Sequence, residues 1–96
     1  MPKRIIERIR EQIRLGQYDM TRHAQEEMAE EGLDLFDIEQ AVLNGELIRK
    51  EKKEFRGTKY TIRGKGINQQ TAIGVVGRFT ETGRFLIITV YEIKDF

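Results

Sequence analysis

The only histidine of the chain, His23, lies in a polar segment that runs from Thr21 to Gly32 and reads TRHAQEEMAEEG. Histidine changes charge most readily near neutral pH, so His23 is the first candidate for general acid–base chemistry. Glu26 and Glu27 follow at helical spacing and would favour the imidazolium, whereas the positive end of a helix dipole would oppose it. The competing interpretation, which is the more common role of a lone histidine, is that His23 packs at a helix start and hydrogen-bonds a neighbour.

Basic side chains on predicted strands are candidates for phosphate binding. Lys59 and Arg63 have the same parity on one strand, so they share a face of the sheet, and we expect Arg78 of the next strand to join them. Such cations bind phosphates and stabilise a pentacovalent phosphorane. Arg22, beside the histidine, is a further substrate-binding candidate, and Tyr91 offers a hydroxyl for catalysis. The alternative is an ordinary solvated sheet face and a packed tyrosine.

Several kinds of site are absent from the sequence. The chain has no serine, no cysteine and a single histidine, which excludes a Ser/His/Asp triad, thiolate metal ligands and a histidine pair for zinc. No glycine-rich loop ends in Lys-Ser or Lys-Thr, and the glutamates after His23 are more typical of a solvated helix face than of a metal site. We therefore expect no metal and no cofactor.

Composition predicts a single small domain, residues 1–96, that is soluble and cytoplasmic. Hydrophobic residues make up 39% of the chain and charged residues 34%, which is typical of a globular protein. The first twenty residues lack the apolar core of a signal peptide, and the longest apolar run, Phe85–Ile88, is too short to cross a membrane. No membrane association is expected.

Charge is distributed unevenly along the chain. Five basic and two acidic residues give residues 1–16 a charge of +3, one basic and nine acidic residues give residues 17–46 a charge of −8, and eleven basic and five acidic residues give residues 47–96 a charge of +6. One face could therefore bind a polyanion while another repels it or binds a basic partner. The alternative is that these are ordinary solvated faces.

The apolar pattern predicts an α+β fold. Helical spacing predicts three helices, at residues 3–15, Thr21–Gly32 and Asp34–Asn44. Alternating, β-branched segments predict four strands, at Leu47–Glu54, Thr58–Gly64, Thr71–Phe79 and Arg84–Ile93. Because the loops between these strands are short, we expect three N-terminal helices packed on a mostly antiparallel four-stranded sheet. The last strand is apolar at both parities, so we expect it to be central and covered on both faces.

The combination of Thr21-x-His23-Ala24 with a C-terminal Thr89-Val90-Tyr91 resembles a family of small bacterial and archaeal proteins, domain of unknown function family 4258. The resemblance implies kinship with the RelE and BrnT toxins, whose fold packs helices against an antiparallel sheet and whose better-known members cleave RNA. Family members typically carry a basic residue at the positions of Glu27 and Glu31. Two acids there would repel a phosphate.

The leading hypothesis is a toxin-like protein of a toxin–antitoxin system that cleaves RNA without a metal, as an mRNA interferase does. His23 would act as general base or acid when a ribose 2′-hydroxyl attacks the adjacent phosphate, with Tyr91 as the second catalytic candidate. The substrate phosphate would be bound by Arg22, Lys59, Arg63 and Arg78. RNA and a cognate antitoxin are the expected partners, and the oligomeric state is left open.

Two alternatives remain. The first is a non-catalytic module of the same fold that binds nucleic acid or a protein, which the glutamates at positions 27 and 31 favour. The second is an assembly role through an exposed edge of the strand that begins at Leu47.

Overall fold

The computed structural model describes residues 4–53 and 57–94, which contain three helices and five strands. In chain order these are α1 (Ile5–Arg14), β1 (Tyr18–Met20), α2 (Arg22–Glu30), α3 (Leu35–Asn44), β2 (Glu46–Lys53), β3 (Gly57–Lys65), β4 (Ala72–Phe79) and β5 (Phe85–Ile93). The strands form one sheet in the order β1-β5-β4-β3-β2. Strands β2 to β5 pair antiparallel, whereas β1 pairs parallel with β5.

The prediction of a four-stranded, mostly antiparallel sheet was therefore wrong, although the α+β class and the three helices are confirmed. The missing strand, β1, has only three residues, which is too few to display an alternating pattern. It pairs with the strand farthest from it in sequence, Tyr18 lying opposite Phe85. The central position predicted for the last strand is confirmed, because β1 and β4 flank β5. The prediction that both of its faces are covered was wrong, because the helices pack against one face of the sheet. The predicted strand end at Glu54 lies outside the described residues.

The helix starts follow from local chemistry. The Thr21 hydroxyl accepts a hydrogen bond from the Ala24 backbone N–H at 3.1 Å and caps α2. Asp34 and Asp37 form a reciprocal capping box at the start of α3. These side chains satisfy backbone donors that a helix cannot pair internally, so both helix starts occur where the sequence predicted them. None of the helices in the described residues is long and apolar enough to span a membrane.

All three helices pack against the same face of the sheet. The core between them consists of buried apolar side chains: Ile9, Ile13, Ala24, Ile38, Ala41, Val42, Tyr60, Ile62, Ile73, Val75, Phe85, Ile87 and Val90. Helix α3 approaches β3 so closely that a Cβ atom at Gly64 would overlap the backbone of Ala41. Within residues 4–53 and 57–94, no helix covers the opposite face of the sheet.

Candidate functional site

The helix-free face of the sheet, here called the open face, carries four of the predicted site residues. Side chains alternate along a strand, so residues between the core positions point away from the helices. On the three interior strands these residues are Lys59, Thr61 and Arg63 of β3, Gly74, Val76 and Arg78 of β4, and Thr89 and Tyr91 of β5. The structure therefore brings Lys59, Arg63, Arg78 and Tyr91 onto one surface, as the strand parity of the three cations predicted.

A row across the open face joins Tyr91 and Arg63 through a glycine. Gly74 of β4 pairs with Tyr91 of β5 on one side and with Arg63 of β3 on the other. A Cβ atom at Gly74 would lie 2.5 Å from Cε2 and 2.6 Å from the hydroxyl oxygen of Tyr91. The tip of the tyrosine ring therefore lies directly over the Gly74 backbone. Strand β3 is one strand spacing, about 4.8 Å, from this position.

The remaining cations lie further along the same strands. Tyr60 of β3 pairs with Gly77 of β4. Lys59 precedes Tyr60 and Arg78 follows Gly77 in this antiparallel pair, so the two cations are neighbours on the open face. Arg63 is four residues from Lys59 along β3, or about 13 Å at the usual strand rise. Arg63 and Arg78 already interact within the protein, so an incoming phosphate would share or replace those contacts.

Acidic residues of the edge strand β2 bound this basic surface. Glu46 lies opposite Arg63 in the register, and Glu51 lies opposite Lys59. Glu51 also forms an ion pair with Arg49 at 3.1 Å. The positive charge of the open face is therefore concentrated on β3 and β4 and decreases toward β2.

The structure places His23 and Arg22 elsewhere, on the first turn of α2. Helix α2 packs beside β5 and β1, whereas Lys59 and Arg63 belong to β3, two strands beyond β5. The His23 side chain is 67% exposed, and its Nε2 lies 3.3 Å from Oε1 of Glu27. Arg22 is highly exposed and pairs with Glu26 at 3.5 Å. The six predicted site residues thus form two groups, one on the open face and one at the outer edge of β5.

Glu27 has a structural partner that the sequence did not reveal. Its carboxylate accepts a hydrogen bond from the Val90 backbone N–H at 3.3 Å. Strand β1 pairs with β5 only as far as Ile87, so the β5 backbone beyond that point needs another acceptor. An arginine at position 27 could not accept this hydrogen bond. The hydrogen bond to Val90 therefore explains why a glutamate occupies position 27. The same carboxylate lies beside His23, and Val90 is the residue that precedes Tyr91.

Gly74 was also missed, although the sequence contains a signal for it. An isolated glycine within a strand often marks a position where another group approaches the backbone closely. Within the described ranges, no three histidine, aspartate or glutamate side chains are grouped as a metal site requires.

These features define an α+β protein with a mixed sheet and one helix-free, basic face. The model of the family named Domain of unknown function (DUF4258) matches residues 20–92, so the chain belongs to that family. The matched region starts at the end of β1 and includes α2, α3 and nearly all of the sheet from β2 to β5. No curated protein and no solved structure matches the chain.

Proposed function

We propose that the protein binds single-stranded RNA across its open face. The observation that carries this proposal is the row formed by Tyr91, Gly74 and Arg63, with Lys59 and Arg78 on the same surface. Surfaces that bind single strands combine cations that follow the phosphates with aromatic rings on which bases stack. One face of the Tyr91 ring rests on the glycine and the side chain is only half-buried, so a base would stack on the other face.

The geometry favours an unpaired strand over a duplex. Stacking on Tyr91 requires a base that is not already stacked in a helix, and single-stranded segments supply such bases. The basic residues lie on interior strands and form part of an open sheet surface. The phosphates of a bound strand would therefore run across this surface and would not enter a deep pocket. Binding of this kind depends on the backbone and on stacking and needs little sequence recognition.

The proposal is tested by titrating ¹⁵N-labelled protein with a twelve-residue oligouridine. We expect the largest amide shift changes at Thr61, Arg63, Gly74 and Tyr91, and little change in α1 and α3. The same titration with a double-stranded RNA of equal length is the control, and it should produce weaker changes. Shift changes confined to the helices would place the binding surface elsewhere and contradict the proposal.

A second candidate function is RNA cleavage without a metal, and the His23–Glu27 pair favours it. The carboxylate, fixed by the Val90 N–H, lies 3.3 Å from Nε2 of His23 and would orient the imidazole. Neutral His23 would take the proton of a ribose 2′-hydroxyl as its oxygen forms a bond to the adjacent phosphorus. The bond from phosphorus to the 5′-oxygen then breaks and leaves a cyclic phosphate. Tyr91 is the candidate donor of a proton to the leaving oxygen.

This second candidate includes kinship with the RelE and BrnT toxins, a role as an mRNA interferase in the cytoplasm, and a cognate antitoxin. It requires an RNA strand that runs from Arg63 across β5 to the edge where His23 and Arg22 lie. His23→Ala separates the two candidates. If the protein cleaves RNA, this variant should lose cleavage of a labelled oligonucleotide and retain binding, because an exposed first-turn side chain contributes little to the core. A parent protein that binds RNA and leaves it intact is a binding module.

A further inference from the structure

A second surface, on the helix side of the sheet, has a composition different from the open face. It is a groove of about 700 Å³, here called the acidic groove, between β1, α2 and α3. The side chains that matter for its chemistry are Tyr18, Met20, Gln25, Met28, Leu35 and Glu39. Methionine and leucine make an apolar floor, and none of the described residues that line the groove is basic. Asp19 also lines the groove, and its carboxylate pairs with Arg84 at 2.8 Å.

Glu39 is the main charged group of the groove, and its polar partner among the described residues is uncharged. The Tyr18 hydroxyl donates a hydrogen bond to Oε2 of Glu39 at 2.6 Å. Burial and the neighbouring carboxylate raise the pKa of Tyr18 well above its usual value, so the phenol remains a neutral donor. Among residues 4–53 and 57–94, no lysine or arginine forms an ion pair with Glu39. A half-buried carboxylate without a cation favours a positively charged ligand.

Apolar side chains flank this carboxylate on both sides. Leu35 is 41% exposed and Phe36 is 67% exposed, although both are large and hydrophobic. At about 100° per residue, Glu39 lies between them around the axis of α3. Exposing an apolar surface to water costs free energy. An apolar surface with a charged residue in its middle is therefore typical of a site where proteins interact.

Side-chain donors occupy the outward carbonyls at the edge of the sheet beside the groove, which disfavours an added strand. When an edge strand pairs in parallel, the backbone N–H and C=O groups of alternate residues face away from the sheet. In β1 these residues are Tyr18 and Met20. The Arg84 guanidinium donates to the Tyr18 carbonyl at 3.2 Å, and the Gln25 side chain donates to the Met20 carbonyl at 3.3 Å. These carbonyls are therefore already hydrogen-bonded. A partner fits better as a helix that lies in the groove than as a sixth strand.

We propose that the acidic groove binds a basic amphipathic helix of another protein, with its leucine-type side chains on Met20, Met28 and Leu35 and a lysine or arginine on Glu39. Charge complementarity supports this partner, since residues 17–46 contain one basic and nine acidic residues. The groove is on the opposite side of the sheet from the open face. The inference is therefore independent of RNA binding, and either proposal can fail alone.

Methionine labelling gives a specific test, because the chain has three methionines and two of them line the groove. Protein labelled with ¹³C at the methionine methyl groups is titrated with a synthetic sixteen-residue amphipathic helix that carries leucines on one face and lysines beside them. We expect the signals of Met20 and Met28 to shift. The same peptide with glutamate in place of lysine should bind at least about tenfold more weakly.

Two variants and two controls locate the contacts. Glu39→Gln keeps an acceptor for the Tyr18 hydroxyl and should weaken the lysine peptide about fivefold, whereas Glu30→Gln, with the same loss of charge away from the groove, should not. Leu35→Asp should weaken the peptide about tenfold. Ile48→Asp, at a 51% exposed position on the opposite edge of the sheet, is its matched control. Thermal unfolding of each variant shows whether the fold is kept, and Glu39→Gln remains informative if Leu35→Asp unfolds.

Three results would overturn the proposal. The first is that the lysine peptide causes no shift of Met20 and Met28. The second is that the lysine and glutamate peptides bind equally well, which would remove the role of charge. The third is a dimer in light scattering that Leu35→Asp dissociates, because the occupant of the groove would then be a second copy of this chain.

Discussion

Gly74→Ala is expected to weaken RNA binding without removing the fold, because the new methyl group displaces the Tyr91 ring. The added carbon would be 2.5 Å from Cε2 of the ring, whereas carbon atoms in contact prefer about 3.5–4.0 Å. The ring must therefore move by about 1 Å or more, and it can do so by rotating outward from its half-buried position. Overpacking usually costs about 1–3 kcal/mol, and we expect a cost near the lower limit because the ring is free to leave.

The effect on RNA affinity follows from the energy of stacking. A base stacked on an aromatic side chain contributes about 1–3 kcal/mol. Loss of even the smaller value weakens binding about fivefold. Fluorescence anisotropy with a labelled oligouridine measures the affinity, and urea unfolding measures the stability of the same variant. Tyr91→Ala should weaken binding by a similar factor, and the double variant should lose little more, since both changes remove one interaction.

Two results would refute this reasoning. If Gly74→Ala binds RNA as the parent does while Tyr91→Ala binds weakly, the position of the ring over β4 has no role in binding. If neither variant changes the affinity, the tyrosine is a packing residue and the open face needs another explanation.

Three further predictions concern the framework around the two surfaces. Gly64→Ala should destabilise the protein by about 3 kcal/mol or more in urea unfolding, because the new methyl group meets the backbone of α3, which cannot rotate away as a side chain can. Glu27→Ala should cost about 1 kcal/mol by the same measurement, since the Val90 N–H loses its acceptor, and Glu27→Gln should restore most of it. Arg84 lowers the pKa of Asp19 below its usual value of 3.8, so this pair stabilises the fold above that pH and the contribution is lost as the pH falls through the lower, folded-state value. Asp19→Asn should therefore reduce stability at pH 6 and leave it nearly unchanged at pH 2.

The parts of the fold that local chemistry determines were predictable from the sequence. Thr21 and Asp34 cap helices with their own side chains, so both helix starts were evident. Strand β1 was not, because three residues contain no pattern and the residues of β5 with which they pair are 67 positions further along the chain. Only tertiary pairing makes it a strand.

The candidate site was predictable only in part, for the same reason. Parity along β3 correctly placed Lys59 and Arg63 on one face of the sheet. The register that sets Tyr91 over Gly74 depends on how β4 and β5 pair, including an irregularity between Val76 and Gly77. The separation of His23 from the open face likewise depends on where α2 packs, which the helix pattern alone does not specify.

The central claim, that phosphates bind the open face, is tested most directly by the salt dependence of RNA affinity in two lysine variants. Lys59 lies on the open face, whereas Lys50 lies opposite Tyr60, whose side chain is part of the core on the other face. Each substitution to alanine removes one positive charge, so the change in long-range electrostatic attraction to RNA is matched between the two variants. Each phosphate contact to a single strand contributes about 0.7 to the slope of log affinity against log salt. We predict that Lys59→Ala flattens this slope by about 0.7 and that Lys50→Ala leaves it unchanged; equal slopes in the two variants would contradict the claim.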